Sequence, residues 1–168
     1  MNQVPIIFLD IDGVFNHQLY FVNTPKGNRS NIDKESVAIF NDMFVVDVPP
    51  KVVITSTWRL NTDVDEFKTL FEKEGFKFSD QIIGRTDSLH GECYLRGNEI
   101  YKWIRDNPIE CGGVEYYNYD RYVIFDDDSD MLYWQRNNYI NIDAYCGLTP
   151  SNVYKAKKIL RIKDLKTK

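Results

Sequence analysis

Acidic side chains follow two separate apolar segments of the sequence, at the point where each segment ends. Asp10 and Asp12 come directly after the apolar run at 4–9, and four aspartates lie within 126–130, after the apolar run at 122–125. Close carboxylates repel one another, and a hard divalent cation with oxygen ligands neutralises them. Mg²⁺ is the expected cation, because it binds one or two carboxylates and keeps positions for water and phosphate oxygens.

The acids could instead be ordinary turn and cap residues, since aspartate often follows a strand for that reason alone. For a single aspartate that interpretation is preferred. The combination of Asp-x-Asp-Gly at 10–13 with a second acidic cluster at 126–130 favours metal and phosphate chemistry. Hydroxyl groups extend the pattern, because a third apolar run, 51–55, ends in Thr55 and is followed by Ser56.

These residues need a sheet that brings the ends of the apolar runs together. The pattern predicts strands at 4–9, 51–55, 81–84, 122–125 and 139–142, and helices at 31–44, 62–74, 97–106 and from 150 onward. Strands that alternate with helices predict an α/β, three-layer Rossmann-like fold with a central, mostly parallel sheet and helices on both faces. In such sheets ligands bind beyond the carboxyl ends of the strands.

Local signals mark the ends of several predicted helices. Thr62 and Asp65 have the spacing of a capping box at the start of the helix at 62–74, and Gly75 is placed to end it. Thr149 followed by Pro150 is typical of a helix start. The segment 14–30 mixes aromatic residues with Asn, Pro and Gly, which predicts an irregular flap or hairpin.

The composition indicates one ordinary globular domain spanning 1–168, with 43% hydrophobic and 27% charged residues. No apolar run approaches the roughly 20 residues of a membrane-spanning helix. The N-terminus has neither a basic flank nor a small-residue cleavage site, which argues against a secretory signal. The three cysteines are widely spaced, as expected for reduced thiols, so we expect a cytoplasmic protein.

The charge is unevenly distributed along the chain. The formal net charge is -4, yet residues 155–168 contain seven lysines and arginines and a single acid, Asp164. A basic C-terminal helix and tail, 150–168, is compatible with a polyanionic partner. A solvated helix face is the preferred interpretation of the same residues.

Four motifs of the sequence, taken in order, resemble those of a known enzyme superfamily. They are the segments 8–14 (Phe-Leu-Asp-Ile-Asp-Gly-Val), 52–55 (Val-Val-Ile-Thr), Arg96 with the helix that follows it, and 123–130. Together they resemble the haloacid dehalogenase (HAD) superfamily of phosphohydrolases over nearly the whole chain. A narrower resemblance, to a capless subgroup associated with RNA-repair proteins, rests on Trp58-Arg59, Arg96-Gly97, 126–131 and Gly147-Leu148-Thr149.

The spacing of the motifs indicates a member without a cap domain. In this superfamily a cap is inserted either soon after the first motif or between the second and the third. Thr55 lies 43 positions after Asp12, and Arg96 lies 41 positions after Thr55. Neither interval has room for a separate domain. The site is therefore expected to be open, and an open site accepts a phosphate on a large molecule.

The resemblance implies a role for each matching residue. Asp10 corresponds to the nucleophile that attacks phosphorus and forms an aspartyl-phosphate, and Asp12 to the general acid and base. Thr55 corresponds to the residue whose hydroxyl donates a hydrogen bond to a phosphate oxygen. If the alignment with the family motif is off by one residue, Ser56 has this role instead. Arg96 stands where the family usually has lysine and supplies a cation at a helix start. Gly13 lets the backbone bend beside the phosphate, where loop N–H groups can bind phosphoryl oxygens.

The resemblance also implies the metal ligands, with alternatives open at two of them. Asp10 and Asp12 are expected to bind Mg²⁺ together with Asp127 as first choice and Asp126 as second, while Asp130 orients the ligands or binds through water. Arg59 could bind substrate, and a salt bridge beside the site is an equally good interpretation.

Three groups of side chains outside the motifs have a structural interpretation. His17 and His90 are interpreted as flap or surface residues. The flap aromatics Phe15, Tyr20 and Phe21 could stack on a base, although packing is preferred. Tyr116, Tyr117, Tyr119 and Tyr122 are interpreted as a packing cluster between a loop and a strand.

The expected function is a Mg²⁺-dependent phosphomonoesterase that acts through an aspartyl-phosphate. A nucleotide or a nucleic-acid terminal phosphate is the favoured substrate, because of the open site, the flap aromatics and the basic tail. A phosphotransferase or protein phosphatase with the same chemistry is one alternative. A non-catalytic module that binds a metal or a partner on the same fold is another. The sequence does not indicate an oligomeric state.

Overall fold

The computed structural model describes residues 3–26, 31–89 and 95–165. Its strands are β1 (Ile6–Leu9), β2 (Lys51–Ile54), β3 (Ile82–Arg85), β4 (Tyr122–Asp126) and β5 (Tyr139–Asn141). They form one sheet in the order β3-β2-β1-β4-β5, and all four pairings are parallel. The predicted α/β fold with a parallel sheet is confirmed.

In the described ranges, five helices pack around the sheet. They are α1 (Gln18–Asn23), α2 (Lys34–Asn41), α3 (Val64–Lys73), α4 (Arg96–Asp106) and α5 (Pro150–Leu160). Short 3-10 turns lie at Asp42–Phe44, Thr57–Leu60, Ser79–Gln81, Tyr116–Asn118 and Tyr133–Gln135. Within the described ranges, the connections from Asp12 to Thr55 and from Thr55 to Arg96 contain no separate cap domain.

The sheet has a hydrophobic core on each face, because successive side chains of a strand point to opposite sides. On one face Ile7 and Leu9 of β1 pack with the apolar sides of α2, α3 and α5. On the other face Ile6 and Phe8 pack with Ile100, Trp103 and Ile104 of α4. Burial of β1 on both faces explains why its sequence is continuously apolar, and the result is the expected three-layer arrangement.

The predicted starts of two helices are wrong by one or more residues. Asp33 caps α2, since its carboxylate accepts the backbone N–H groups of Glu35 and Ser36, so this helix begins later than the predicted position 31. The capping box of α3 is formed by Asp63 and Glu66, not by Thr62 and Asp65. Both pairs have the same spacing, and the structure uses the pair one position farther along the chain.

The described parts of the flap and of the C-terminal segment contain regular structure. The predicted flap, 14–30, contains α1. Residues 27–30 of the flap, His90 and positions 166–168 lie outside the described residues. After α5 the chain returns to the body of the fold, where Asp164 pairs with Val46 in a β-bridge. In the described part of the chain, no helix is both long enough and apolar enough to cross a membrane.

Candidate active site

The carboxyl ends of the three central strands meet at one edge of the sheet. Leu9 of β1 pairs with Ile54 of β2 on one side and with Phe125 of β4 on the other. The residues that follow, Asp10 and Thr55, are therefore neighbours, and the N–H of Thr55 donates to the Leu9 carbonyl at 2.8 Å. The parallel register thus gathers side chains from three distant parts of the sequence.

Three carboxylates form the acidic cluster at this edge. Asp10, Asp126 and Asp127 each offer an oxygen, and these oxygens lie within 4.8 Å of one another. Both alternatives for the metal ligand after β4, Asp126 and Asp127, are thus present in the cluster. Asp130 has a different contact, since its Oδ2 accepts the backbone N–H of Arg96 at 2.9 Å and fixes the start of α4.

Asp12 is held apart from the acidic cluster by two side chains. Its Oδ2 accepts the indole N–H of Trp58 at 3.0 Å, and its Oδ1 accepts the amide of Asn16 at 2.8 Å. The side chain is exposed, unlike that of Asp10. The Asp12 carboxylate is therefore not one of the three that meet in the acidic cluster, and its expected part in binding the metal stays a prediction.

The guanidinium of Arg96, at the first residue of α4, lies among three carboxylates. Its Nε is 3.3 Å from Asp126 Oδ2, its Nη2 is 3.8 Å from Asp10 Oδ1, and its Nη1 is 3.7 Å from Glu99 Oε2. The planar fork of arginine can reach several oxygens at once, which the single ammonium of lysine cannot do in the same way. Arg96 therefore links both strands of the acidic cluster to α4.

Arg59 forms a buried ion pair instead of facing the opening of the site. Its Nη2 lies 2.6 Å from Glu99 Oε2, and its remaining donors bond the backbone carbonyls of Thr55, Ser56 and Thr86. The side chains of both Arg59 and Glu99 are 5% exposed. These contacts support the salt-bridge interpretation of Arg59, and substrate binding by this residue stays a prediction.

The two hydroxyls after β2 have different surroundings. Thr55 Oγ1 is buried and makes no hydrogen bond within the described residues. The Ser56 hydroxyl bonds the Asp10 carboxylate and also accepts the backbone N–H of Trp58 at 3.4 Å. Thr55 is therefore the hydroxyl that is available to a ligand.

Gly13 is required by the position of Asp127. Its φ is +70°, a conformation that residues with side chains rarely adopt. A Cβ atom at this position would lie 2.3 Å from Asp127 Oδ2, so the carboxylate occupies the space that any side chain would need. The role of Gly13 in this structure is to admit Asp127 to the acidic cluster.

A family model described as the HAD domain in Swiss Army Knife RNA repair proteins matches residues 6–153. The chain belongs to this family. The match confirms both the resemblance to the HAD superfamily and the narrower resemblance to the RNA-repair subgroup. No curated protein and no solved structure matches the chain. Membership supports a phosphatase-type activity in general terms, in a family that generally uses Mg²⁺.

In the acidic cluster of this HAD domain, the ionised forms of the three carboxylates are disfavoured as long as no cation is bound. Burial and, next in size, the neighbouring Asp10 carboxylate raise the pKa of Asp126 to about 7, against the lowering effect of the Asp128 N–H and Arg96. Burial also raises the pKa of Asp10 to about 6, although Arg96, the Ile11 N–H and Ser56 lower it. The pKa of Asp127 is raised for the same reason, burial. A positive charge bound here would favour all three ionised forms.

Two observations indicate that the residues of this HAD site suit Mg²⁺. The donor set is made of carboxylate oxygens, the hard ligands that this ion prefers. Asp126 Oδ2 is buried and makes no hydrogen bond within the described residues, and the Arg96 Nε lies 3.3 Å from it. The single positive charge of Arg96 does not balance three carboxylates, so a bound cation would stabilise this buried oxygen further.

Two features of this HAD domain escaped prediction from the sequence. Glu99 is the partner of both Arg59 and Arg96, and its only sequence signal is its position three residues after Arg96 on one helix. His17, interpreted as a flap or surface residue, is 7% exposed and caps α1, with its Nε2 3.4 Å from Asp33 Oδ2. Gly147 packs directly against this imidazole, which keeps the ring inside the fold.

Proposed function

We propose that this protein is a Mg²⁺-dependent phosphomonoesterase that forms an aspartyl-phosphate on Asp10. The observation that carries the proposal is the position of Asp10, between the Arg96 guanidinium and the carboxylates of Asp126 and Asp127. A carboxylate in these surroundings is a suitable nucleophile, since the acyl-phosphate that it forms is readily hydrolysed. Three groups hold it in place: Ser56, the Ile11 N–H and Arg96.

In the first step an oxygen of Asp10 attacks phosphorus, and the bond from phosphorus to the ester oxygen breaks. The leaving oxygen takes a proton from Asp12. In the second step water attacks the phosphorus of the aspartyl-phosphate, Asp12 takes a proton from that water, and the carboxylate of Asp10 is released with inorganic phosphate. Each step thus moves one proton through Asp12, which begins and ends the cycle protonated.

Asp12 is suited to this role by its contacts. It is exposed, and Trp58 and Asn16 fix its two oxygens, so its carboxyl group stays at the open side of the site. A general acid must lie within hydrogen-bond reach of the leaving oxygen, and a fixed orientation lowers the entropic cost of reaching it.

The transferring phosphoryl group meets donors from two sides. The buried Thr55 hydroxyl, which has no hydrogen-bond partner in the described structure, supports its assignment as a donor to a phosphoryl oxygen. Arg96, the first residue of α4, provides positive charge on the other side. Mg²⁺, held by Asp10, Asp126 and Asp127, supplies further positive charge that offsets the phosphate oxygens.

The proposed substrate is a nucleotide or nucleic-acid terminal phosphate. Two observations support it: the described residues form no cap over the site, and the matching family is that of RNA repair proteins. A terminal phosphate projects from a long strand, and only a site without a cap admits such a strand from the side.

Phosphate release from 3′- and 5′-phosphorylated oligonucleotides, free mononucleotides and sugar phosphates, with and without Mg²⁺, tests the proposal. We expect Mg²⁺-dependent release that is highest for a nucleotide or an oligonucleotide and is lost in Asp10→Asn. Asp128→Asn is the matched control, because Asp128 is an exposed acid of the same loop that lies outside the acidic cluster. Equal activity of wild type and Asp10→Asn contradicts the proposed chemistry, and a preference for sugar phosphates contradicts the proposed substrate.

A further inference from the structure

A second pocket, separate from the acidic cluster, lies between α4 and the segment 132–138. Its volume is about 360 Å³, which is within the usual range of small-ligand sites. Aromatic rings form most of its wall: Tyr101, Tyr116, Tyr117, Tyr119, Tyr122 and Trp134. Trp134 is 61% exposed and Tyr117 is 69% exposed, a high exposure for such large rings. The expected packing cluster is therefore only half correct, since Tyr119 and Tyr122 are buried and Tyr116 and Tyr117 are not.

The outer rings of this aromatic pocket touch one another edge to face. Tyr101 meets Tyr116 at 5.6 Å and Trp134 at 6.2 Å between ring centroids, with interplanar angles of 87° and 72°. Tyr116 meets Tyr117 at 5.2 Å and 82°. In an edge-to-face contact the edge of one ring lies against one face of the other, so the opposite face of that ring is not covered by this neighbour. Flat ring faces around a cavity suit a flat aromatic ligand.

Hydrogen bonds connect the wall of the aromatic pocket to the start of α4, next to Arg96. Gln135 donates to the Gly97 carbonyl at 2.9 Å, and its Oε1 accepts the Leu132 N–H at 2.8 Å. A Cβ atom on Gly97 would lie 2.5 Å from the Leu132 nitrogen, so glycine permits this close contact. Tyr101 follows Arg96 by five positions on the same helix, about 7.5 Å along its axis and about 140° around it. Tyr122, also in the pocket wall, precedes Asp126 by four positions in β4, about 13 Å. A stacked strand covers that distance in about four steps of roughly 3.4 Å each.

We propose that the aromatic pocket stacks an unpaired base of the nucleic-acid strand whose terminal phosphate is bound at Asp10. The proposal rests on the proposed function and names a part of its substrate, a strand of more than one nucleotide. Stacking on aromatic side chains is the general means by which proteins hold unpaired bases. A strand of about five nucleotides can reach from the phosphate at Asp10 to the aromatic pocket.

The charges around the aromatic pocket favour a neutral ligand over a cation. Aromatic walls also attract cations, and Asp120 at the rim would strengthen that attraction if it were free. Asp120 instead forms an ion pair with Arg161, whose Nη2 lies 2.5 Å from its Oδ2. The acid at the rim is thus already neutralised.

The polar side chains of the aromatic pocket predict little preference among bases. The Asn138 amide donates to the carbonyls of Asp120 and Tyr122, and both polar ends of Gln135 bond the backbone. The Tyr119 hydroxyl donates to the Val4 carbonyl at 2.6 Å. These groups are committed to the protein, so the base is held by its faces and not by its edges.

Trp134→Ala and Tyr117→Ala test the proposal against two substrates that carry the same terminal phosphate, a short oligonucleotide and a mononucleotide. We expect KM for the oligonucleotide to rise about 5- to 150-fold, the range that loss of one stacked base predicts. The mononucleotide kinetics stay unchanged. Tyr154→Ala, which removes an equally exposed tyrosine from α5, is the matched control and changes neither substrate. Equal effects on both substrates, or no effect on the oligonucleotide, overturn the proposal.

Binding separates this proposal from the proposed function. In Asp10→Asn, we expect the oligonucleotide to quench tryptophan fluorescence more than the mononucleotide does, and this additional quenching to disappear in the Asp10→Asn/Trp134→Ala double variant. If wild type hydrolyses no phosphate ester while this quenching is seen, the proposed function fails and the pocket assignment stands. If hydrolysis is normal but the quenching does not depend on Trp134, the pocket assignment fails. Quenching by tetramethylammonium without quenching by the oligonucleotide also overturns it.

Discussion

The carboxylate of Glu99 and the guanidinium of Arg59 form a buried ion pair directly behind the candidate active site, with Oε2 2.6 Å from Nη2. The pair joins the turn after β2 to α4. Glu99 also lies 3.7 Å from Arg96, so the same carboxylate supports the cation that faces Asp10. Glu99 is therefore a positioning residue, which orders the site without contacting the phosphate.

Replacement of Glu99 by Gln leaves Arg59 buried without an opposite charge. Breaking a buried ion pair in this way typically costs about 3–5 kcal/mol. We expect the free energy of unfolding, measured by urea denaturation, to fall by an amount of this order. Asp106→Asn on the same helix removes an exposed acid that pairs with Lys102 and Arg105, and we expect little change there. A similar, small change in both variants would contradict the role of Glu99.

The stability of the metal-free protein is expected to fall as the pH rises from about 4 to above 7. The folded-state pKa values of Asp10 and Asp126, about 6 and about 7, lie above the ordinary value of 3.8. The folded state therefore holds protons that the unfolded state releases, and stability is lost as these groups ionise. Thermal unfolding in EDTA across this range measures the effect. We expect Asp126→Asn to flatten the pH dependence and to raise Tm at pH 8 by at least about 2 °C. A pH dependence unchanged by this substitution would contradict the assignment.

Mg²⁺ is expected to stabilise the protein at pH 8 through the acidic cluster. A ligand at 100 times its Kd stabilises the folded state by about 2.7 kcal/mol. We expect Tm to rise with Mg²⁺ concentration in wild type and in Asp128→Asn, and not in Asp126→Asn or Asp127→Asn. An equal rise in all four proteins would show that Mg²⁺ binds elsewhere.

Gly13→Ala tests the close packing between the first loop and Asp127. The added Cβ must displace the Asp127 carboxylate, and the positive φ adds about 1–2 kcal/mol of strain. We expect the Mg²⁺-dependent rise in Tm to be lost, which differential scanning calorimetry would detect. Gly75→Ala is the control, since Gly75 also has a positive φ but no atom lies near its added Cβ. Loss of Mg²⁺ binding in both variants would mean that backbone strain, and not the position of Asp127, is responsible.

Trp58→Phe removes the indole N–H that bonds Asp12 and keeps an aromatic ring. A hydrogen bond to an uncharged carboxyl group contributes about 0.5–1.5 kcal/mol, so we expect kcat to fall about 2- to 10-fold. KM stays nearly constant, because Trp58 orients Asp12 without binding phosphate in the proposed mechanism. Steady-state kinetics on a mononucleotide measure this. A rise in KM at constant kcat would instead indicate that Trp58 binds the substrate.

The sequence predicted the placement of Asp10, Thr55 and Asp126 because it depends on local rules. Each residue ends a short apolar strand, and the ends of adjacent parallel strands share one edge of the sheet. The Arg59–Glu99 pair and the Trp58–Asp12 hydrogen bond connect positions 40 and 46 residues apart. Their formation depends on side-chain directions in loops, which neither periodicity nor spacing determines.

The burial of the aromatic residues and of His17 also depends on side-chain contacts that periodicity and spacing do not determine. Tyr116 and Tyr119 belong to one tyrosine-rich segment, yet only Tyr119 is buried. His17 looks like a loop residue, and its burial results from Asp33 and Gly147, which lie far away in the sequence. Such contacts are decided by tertiary packing and not by local pattern.

The most direct test of the account is to find the covalent intermediate. The enzyme is mixed with Mg²⁺ and an oligonucleotide that carries a labelled terminal phosphate, quenched in acid, digested and analysed by mass spectrometry. The account predicts a labelled phosphate on the peptide that contains Asp10, and its absence in Asp10→Asn together with loss of turnover. Undiminished phosphate release by Asp10→Asn, or label on a different residue, would contradict it.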